Sequence, residues 1–327
     1  MDSEHVHTAS VQISHRERKG DLWALTTYFN PMQYKRRLRN YRTFRHNLAL
    51  PLIAVELCYT GQFELTSEDA DHVVQLQGTS VMWQKERLLN IALSYLPRQA
   101  RFVAWLDCDV VFSQKDWDKS LVRQLETVPL VQPFSHLYDL APDVLPGDFV
   151  PDPMSPTGFS CAYLVNTGSW SAEDFQPPST KRLRRGAFGL GWAARRQLVE
   201  KHGFYDAMVL GSGDRAMACA AFGRFEDAIK TARLDRTRAD HYMGWARQFF
   251  ADVNGSVGHL EGSLFHLWHG ELANRRYVER HEEFSALHFD PRTDLVLMAQ
   301  GCWAWASNRQ DLRDYAEAYF RSRREDG

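Results

Sequence analysis

The chain's chemistry is first visible at Asp107 and Asp109, two carboxylates one residue apart in RFVAWLDCDVVF, residues 101–112. Apolar residues flank the pair, Val103 to Leu106 before it and Val110 to Phe112 after it. An apolar run containing Val, Phe and Trp reads as a buried strand. Carboxylates at its end are costly to bury unless something cationic neutralises them. Ligands of open α/β sheets sit at strand carboxyl ends, so an Asp-x-Asp there is able to hold a divalent metal and a polyanion.

Three further groups could join them. Asp214 ends Gly211-Ser212-Gly213-Asp214 at the start of a predicted helix over 215–222, where it either caps the helix or faces a site. His266 and His269 fall in GSLFHLWH, a predicted short strand over 262–269. On residue type and spacing alone each reads as a hydrogen-bonded strand residue. Trp83, Gln84, Lys85 and Arg87 fall in the first two turns of a predicted helix over 81–96. A helix start favours anions, so Lys85 and Arg87 are candidates for a diphosphate as well as ordinary surface cations.

These residues need elements to position them. Residues 21–29 read as a first strand, with Asn30-Pro31 starting a basic helix from Met32 to about Asn47 that carries Arg36, Arg37 and Arg45. Strands follow over 50–59, 63–65 and 72–76, then the 81–96 helix, the strand ending at Asp107, a helix over 114–127 and a strand over 128–133. This alternation predicts an α/β fold with a mixed, mostly parallel sheet flanked by helices. Residues 135–160, with five prolines, read as a long loop that could cover a site. A second loop leads to the basic cluster Lys181–Arg185, then Gly-rich GAFGLGW and a helix over 193–202. Later helices are expected over 240–250, 274–283 and 310–324.

Composition limits the alternatives. Apolar residues make up 44% and charged residues 24% of the 327, as in a globular protein with a sizeable core. A net charge of −2 argues against a globally basic nucleic-acid binder. The five cysteines are scattered, without a CxxC pair, which fits a reducing compartment and gives no zinc-site signal. No apolar stretch reaches the ~18 residues of a membrane span, and the first twenty residues lack a signal-peptide core. The expectation is a cytoplasmic protein.

Taken in order, WLDCDVVF, GAFGLGWAARRQLVEKHGFYDAMVLGSGD and FHLWHG resemble the motifs of GT-A nucleotide-sugar glycosyltransferases. The middle block keeps Gly203-Phe204-Tyr205-Asp206 and the Gly-acid ending at Asp214, but lacks the Trp and Glu that many such enzymes place there. The resemblance covers about residues 21–285. It implies a flexible leader (1–20), a GT-A catalytic domain (21–285, with a nucleotide-sugar half over 21–134 and an acceptor half over 135–285) and a C-terminal helical extension (286–327). It implies Mn or Mg held by Asp109 and Asp107, with His266 or His269 as a further ligand, and imidazole tilting the choice towards Mn. Asp107 would otherwise meet the ribose. Thr26, Thr27 and Tyr28 would lie beside the nucleotide, with Trp83, Lys85 and Arg87. Asp214 would be the general base of an inverting hexosyltransferase. The donor would be a nucleoside-diphosphate sugar, a UDP-sugar first. The acceptor would be a glycan or another hydroxyl-bearing molecule, a nucleic acid staying open.

Two other readings compete. Asp107 to Val111 also fits a haloacid-dehalogenase-like phosphatase, with Asp107 as nucleophile and Asp109 as acid/base. A non-catalytic sugar- or nucleic-acid-binding protein of the same fold is the third.

Overall fold

A computed structural model describes residues 20–175 and 186–327. The expected leader, apart from Gly20, and the Lys181–Arg185 cluster lie outside the described residues.

The first strand, β1 (Leu22–Phe29), is buried along its whole length, which is why it is apolar apart from Thr26 and Thr27. Helix α1 (Lys35–Asn47) begins later than the expected Met32. The Asn30 side chain accepts from the Tyr34 N–H at 2.9 Å and closes a turn first. Strands β2 (Leu52–Cys58) and β3 (His72–Gln77) follow, but 63–65 is irregular. There the N–H groups of Glu64 and Leu65 donate to the Glu56 carboxylate, leaving no ladder to join. Helix α2 (Lys85–Leu93) also starts later than expected. The Trp83 N–H donates to the Val209 carbonyl at 2.8 Å and Gln84 exchanges two bonds with the Trp303 backbone, holding this segment out of the helix.

Strands β4 (Phe102–Leu106) and β5 (Val110–Phe112) flank the two aspartates, followed by α3 (Trp117–Thr127) and β6 (Leu130–Gln132). The expected loop over 135–160 carries strands at its ends, β7 (His136–Asp139) and β8 (Gly158–Ser160), before α4 (Cys161–Asn166). Next come β9 (Gly186–Ala187), β10 (Gly191–Arg195) and α5 (Arg196–His202). Residues 193–195, expected in a helix, form strand because β10 slots antiparallel between β4 and β6, which pair with Ala193 and Ala194 from both sides. Helices α6 (Gly213–Ala221), α7 (Phe225–Thr231) and α8 (Arg236–Val253) precede β11 (Val257–His259) and β12 (Ser263–His266). The expected 274–283 helix is split into a 3-10 turn (Leu272–Arg275) and α9 (Glu279–Ser285), with Arg276 left-handed between them. Helix α10 (Pro291–Asp294), the hairpin β13 (Leu295–Leu297) and β14 (Trp303–Trp305), and α11 (Gln310–Ser322) complete the chain.

The central sheet has seven strands in the order β11-β6-β10-β4-β1-β2-β3. All its pairings are parallel except those of β10. This is the expected α/β class, a mostly parallel sheet flanked by helices. Alternation along β1 sends Trp23, Leu25 and Phe29 into the core under α2, α5, α6 and α8, and Leu22, Ala24 and Tyr28 into the core under α1 and α3. A second sheet, β5-β12-β7-β8-β9, stands beside it, so Asp107 to Asp109 is the crossing between the two sheets. The five cysteines are buried free thiols. Among the described residues no helix is long and apolar enough to cross a membrane.

Candidate active site

A cavity of about 520 Å³ opens where β1 and β4 end, a size suited to a nucleotide-sized ligand. Its wall includes Thr27, Trp83, Lys85, Asp107, Asp109, Asp214, His266 and His269.

Register explains one corner. β12 lies antiparallel to β5 with His266 opposite Val110, and parallel to β7 with His266 opposite Asp139. The Leu267 N–H donates to the Asp109 carbonyl at 2.8 Å, locking the crossing against β12. Asp109 Oδ2 then lies 3.2 Å from His269 Nε2, Asp109 Oδ1 lies 3.9 Å from His266 Nε2, and the two Nε2 atoms are 3.1 Å apart. Donor atoms of the three residues all fall within 4.8 Å of one another. On the far side of the ring, His266 Nδ1 is 2.7 Å from Asp139 Oδ1. An Nδ1–H donated there leaves Nε2 as a lone pair facing Asp109.

This corner fits a cation. Asp109 Oδ1 is buried with no hydrogen-bond partner. Burial pushes the Asp109 carboxyl above its ordinary range, against the pull of His266. Burial first, and the Arg275 charge next, hold His269 well below the usual imidazole range, so it is neutral. Two imidazole nitrogens and a carboxylate oxygen suit Mn, Fe, Co or Zn better than Mg, which favours all-oxygen sites.

The opposite corner is an ion cluster. Lys85 Nζ lies 2.5 Å from Asp107 Oδ1 and donates to both oxygens of Asp214, at 3.0 and 2.8 Å. Burial opposes the Lys85 charge, but Asp107 and Asp214 outweigh it and raise its pKa. Asp107 also accepts from the Leu190 N–H at 3.2 Å. Burial raises the Asp107 pKa, but Lys85 more than offsets this and the group ionises more readily than usual. Asp214 stays raised, by burial first, with Lys85 opposing and Asp107 adding to the rise. Ser212, not Asp214, is the cap residue of α6, and its side chain makes no cap bond.

The sequence-derived candidates therefore divide. Asp109, His266 and His269 meet as one donor group, while the Asp107 carboxylate turns to Lys85. Thr27, Trp83, Lys85 and Asp214 line the cavity. Thr26 does not: its hydroxyl donates to the Leu106 carbonyl. Tyr28 points to the α1 side and donates to Glu64 at 2.7 Å. Arg87 turns away to Asp206, the Gly301 carbonyl and the Trp303 ring. The alternation of β1 accounts for the first two and the late start of α2 for the third.

Several groups had no local signal. Asp139 meets His266 only through the β7–β12 register. Arg37, Arg275, Arg280 and Arg323 join the wall from α1, the 3-10 turn, α9 and the residue after α11. Their presence in basic helices was readable, but their convergence was not.

No protein-family model and no curated protein sequence matches the chain. Among solved structures, TarS residues 1–349 from S. aureus are similar with a TM-score of 0.40 and 12% identity, over 93% of this chain and 71% of that one. The chain spans 43% of a longer TarS structure. A mannosyltransferase from Pyrobaculum calidifontis, solved with GDP-Man and Mn2+, is similar with a TM-score of 0.39 and 14% identity, over 96% and 73% of the two chains. A glucosyl-3-phosphoglycerate synthase from Mycobacterium tuberculosis gives 0.40 and 11%, over 87% and 86%. These likenesses are distant, and the chemistry assigned below rests on the geometry of this chain.

Proposed function

We propose that the chain is a metal-dependent glycosyltransferase of the GT-A type, which moves a sugar from a nucleoside-diphosphate sugar to an acceptor hydroxyl. One observation carries this reading. A donor group of Asp109, His266 and His269 and an acid, Asp214, face the same cavity at the carboxyl end of the parallel strands.

Negative charge develops on the diphosphate as the sugar leaves. A divalent cation held by Asp109, His266 and His269, Mn before Mg, would supply Lewis-acid stabilisation of that charge. Arg275 donates to His269 Nε2 at 2.6 Å, the nitrogen that faces Asp109; a cation held there would take this lone pair and release the Arg275 charge towards the diphosphate. Asp214 is the base that takes the acceptor proton, which makes the reaction inverting. Its raised pKa strengthens it as a base, and Lys85 fixes the direction of its carboxylate. Thr27 and Trp83 flank the nucleotide, a UDP nucleotide first. Asp107, held by Lys85, is left to orient the ribose side. The phosphatase reading fits less well, because the carboxylate that would attack is already engaged by Lys85 and the Leu190 N–H.

The test is a panel of sugar nucleotides with and without Mn, reading released nucleoside diphosphate and bound nucleotide. Metal-dependent binding or turnover of at least one member is expected. Asp109→Ala should abolish the metal dependence. Asp214→Asn should keep binding and lower transfer about 10²- to 10⁴-fold. Full turnover by Asp214→Asn would remove the base assignment, and no interaction with any sugar nucleotide would remove the whole reading.

A further inference from the structure

The cavity holds a cation that the donor chemistry does not use. Arg280, on α9, is only 3% exposed, yet no carboxylate among the described residues lies within ion-pair distance of it. Its guanidinium stacks between the Tyr277 and Tyr319 rings, with centroids at 5.0 and 5.4 Å. Its contacts are all neutral: Tyr319 Oη, the Arg275 carbonyl at 3.3 Å, His281 Nε2 at 3.4 Å and Ser212 Oγ at 3.0 Å. A guanidinium carries five N–H donors, and these four contacts leave one on Nη2. A buried cation without a counter-charge is costly unless an anion arrives to pair with it.

The position of Arg280 says which anion. Arg275 stands at the His269 corner, where the diphosphate belongs. Arg280 is tied instead to Ser212, two residues before Asp214, and so sits on the acceptor side. Gly211 lines the cavity beside Nη2: a Cβ there would sit 3.5 Å from Nη2, and the φ of +85° also favours glycine. Arg215, next to Asp214, adds a second positive charge to the same wall. The Tyr277 phenol reports the field. Burial would raise its pKa, yet Arg275 first and then Arg280 and Arg323 bring it below the ordinary value.

We infer that the acceptor is an anionic molecule, one that carries a phosphate or carboxylate, and that Arg280, on α9 and bonded to Ser212 just before α6, binds that group while the acceptor hydroxyl faces Asp214. This rests on the transferase reading above. It adds that neutral sugars are poor acceptors and that hydroxyl compounds bearing an anionic group are good ones.

Calorimetry on the intact protein decides it. The protein is saturated with Mn and with the nucleoside diphosphate that the panel selects, then titrated with inorganic phosphate and, separately, with acetate. One of the two should bind at one per chain. Arg280→Gln should weaken that binding about ten-fold or more, the loss expected for one charge-assisted contact, while nucleoside diphosphate affinity stays within about three-fold. Arg280→Lys, which keeps the charge, replaces it if the glutamine variant does not fold, and should weaken binding by a smaller factor. Absence of anion binding to the loaded unmutated protein overturns the inference, as does anion binding that neither substitution weakens. If no nucleotide binds at all, the donor reading falls, and the same titrations on the Mn-treated protein still show whether Arg280 takes an anion.

Discussion

At Asp109 the decisive fact is an oxygen without a partner. A buried carboxylate oxygen left unpaired beside two imidazole nitrogens is a cost that a cation removes. The ring orientation that makes the site usable comes from Asp139, 2.7 Å from His266 Nδ1. Asp139→Asn should therefore weaken Mn affinity about 10- to 100-fold without touching any ligand, as read by metal titration; unchanged affinity would mean that His266 is oriented by packing alone. Glu86 makes a different case. It is 5% exposed, its Oε1 has no partner, and its carboxyl is pushed up to about 8, by burial first and by the Asp214 charge next. The folded state then holds this proton more tightly than the unfolded state, whose value is near 4.5. Its contribution to stability is therefore present below about pH 4.5 and is lost as pH rises towards about 8. Glu86→Gln, which keeps the shape and cannot ionise, should raise Tm at pH 8 relative to the native chain and do little at pH 4.5. The gain is bounded by ~5 kcal/mol, from about 3.5 pH units at 1.36 kcal/mol each. Equal melting of the two proteins at pH 8 would show that Glu86 ionises freely.

At the scale of elements, the Gly-rich block from β9 to β10 shows how far the sequence could be read. GAFGLGW was visible as a motif, but its physical reason is tertiary. A Cβ at Gly189 would fall 2.7 Å from Asp214 Oδ2, and one at Gly191 would fall 2.9 Å from Leu106 Cδ2. The glycines let the β9–β10 loop pass against the acid and the end of β4. Gly189→Ala should thus press on the Asp214 carboxylate and lower transfer at least ten-fold, while Mn-dependent nucleotide binding, built on other residues, stays within about two-fold. Equal loss of both would mean that the loop itself has moved. The strands β1, β2 and β4 were legible because a strand covered on both faces is mostly apolar, with Thr26, Thr27 and Glu56 the exceptions. β10 was not, because Ala193 and Ala194 favour helix locally and are held in strand by their two neighbours. The late start of α2 was hidden for a related reason: the backbone groups of Trp83 and Trp303 and the Gln84 side chain are committed to contacts distant in sequence. The same delay explains why Lys85 faces the cavity and Arg87 does not.

For the whole molecule, the last residues of the chain complete a wall begun near its start. Tyr34 Oη donates to the Phe320 and Arg321 carbonyls, and the Asp326 carboxylate accepts from the Lys35 and Arg36 N–H groups that open α1. A carboxylate at a helix N-terminus is favourable in itself. Between these contacts Glu325 pairs with Arg37 at 2.7 Å and with Arg323 at 2.6 Å, and both arginines line the cavity. Burial would raise the Glu325 pKa, but Arg37 and then Arg323 hold it down at about 2. A depressed acid stabilises above its unfolded value of about 4.5, and that contribution is lost as pH falls towards about 2. Glu325→Gln leaves the buried Arg323 and the half-buried Arg37 without their counter-charge, a change of the kind that costs up to about 3–5 kcal/mol. The variant should melt lower at pH 7, lose much of the native chain's sensitivity to acid between pH 4.5 and 2, and show faster amide exchange over residues 319–327. Nucleotide binding should weaken with it, because Arg37 and Arg323 would no longer be fixed at the cavity. Exchange protection equal to that of the native chain, with unchanged nucleotide affinity, would show that α11 docks through Phe320 and its apolar neighbours alone, and that the ion cluster does not hold the wall in place.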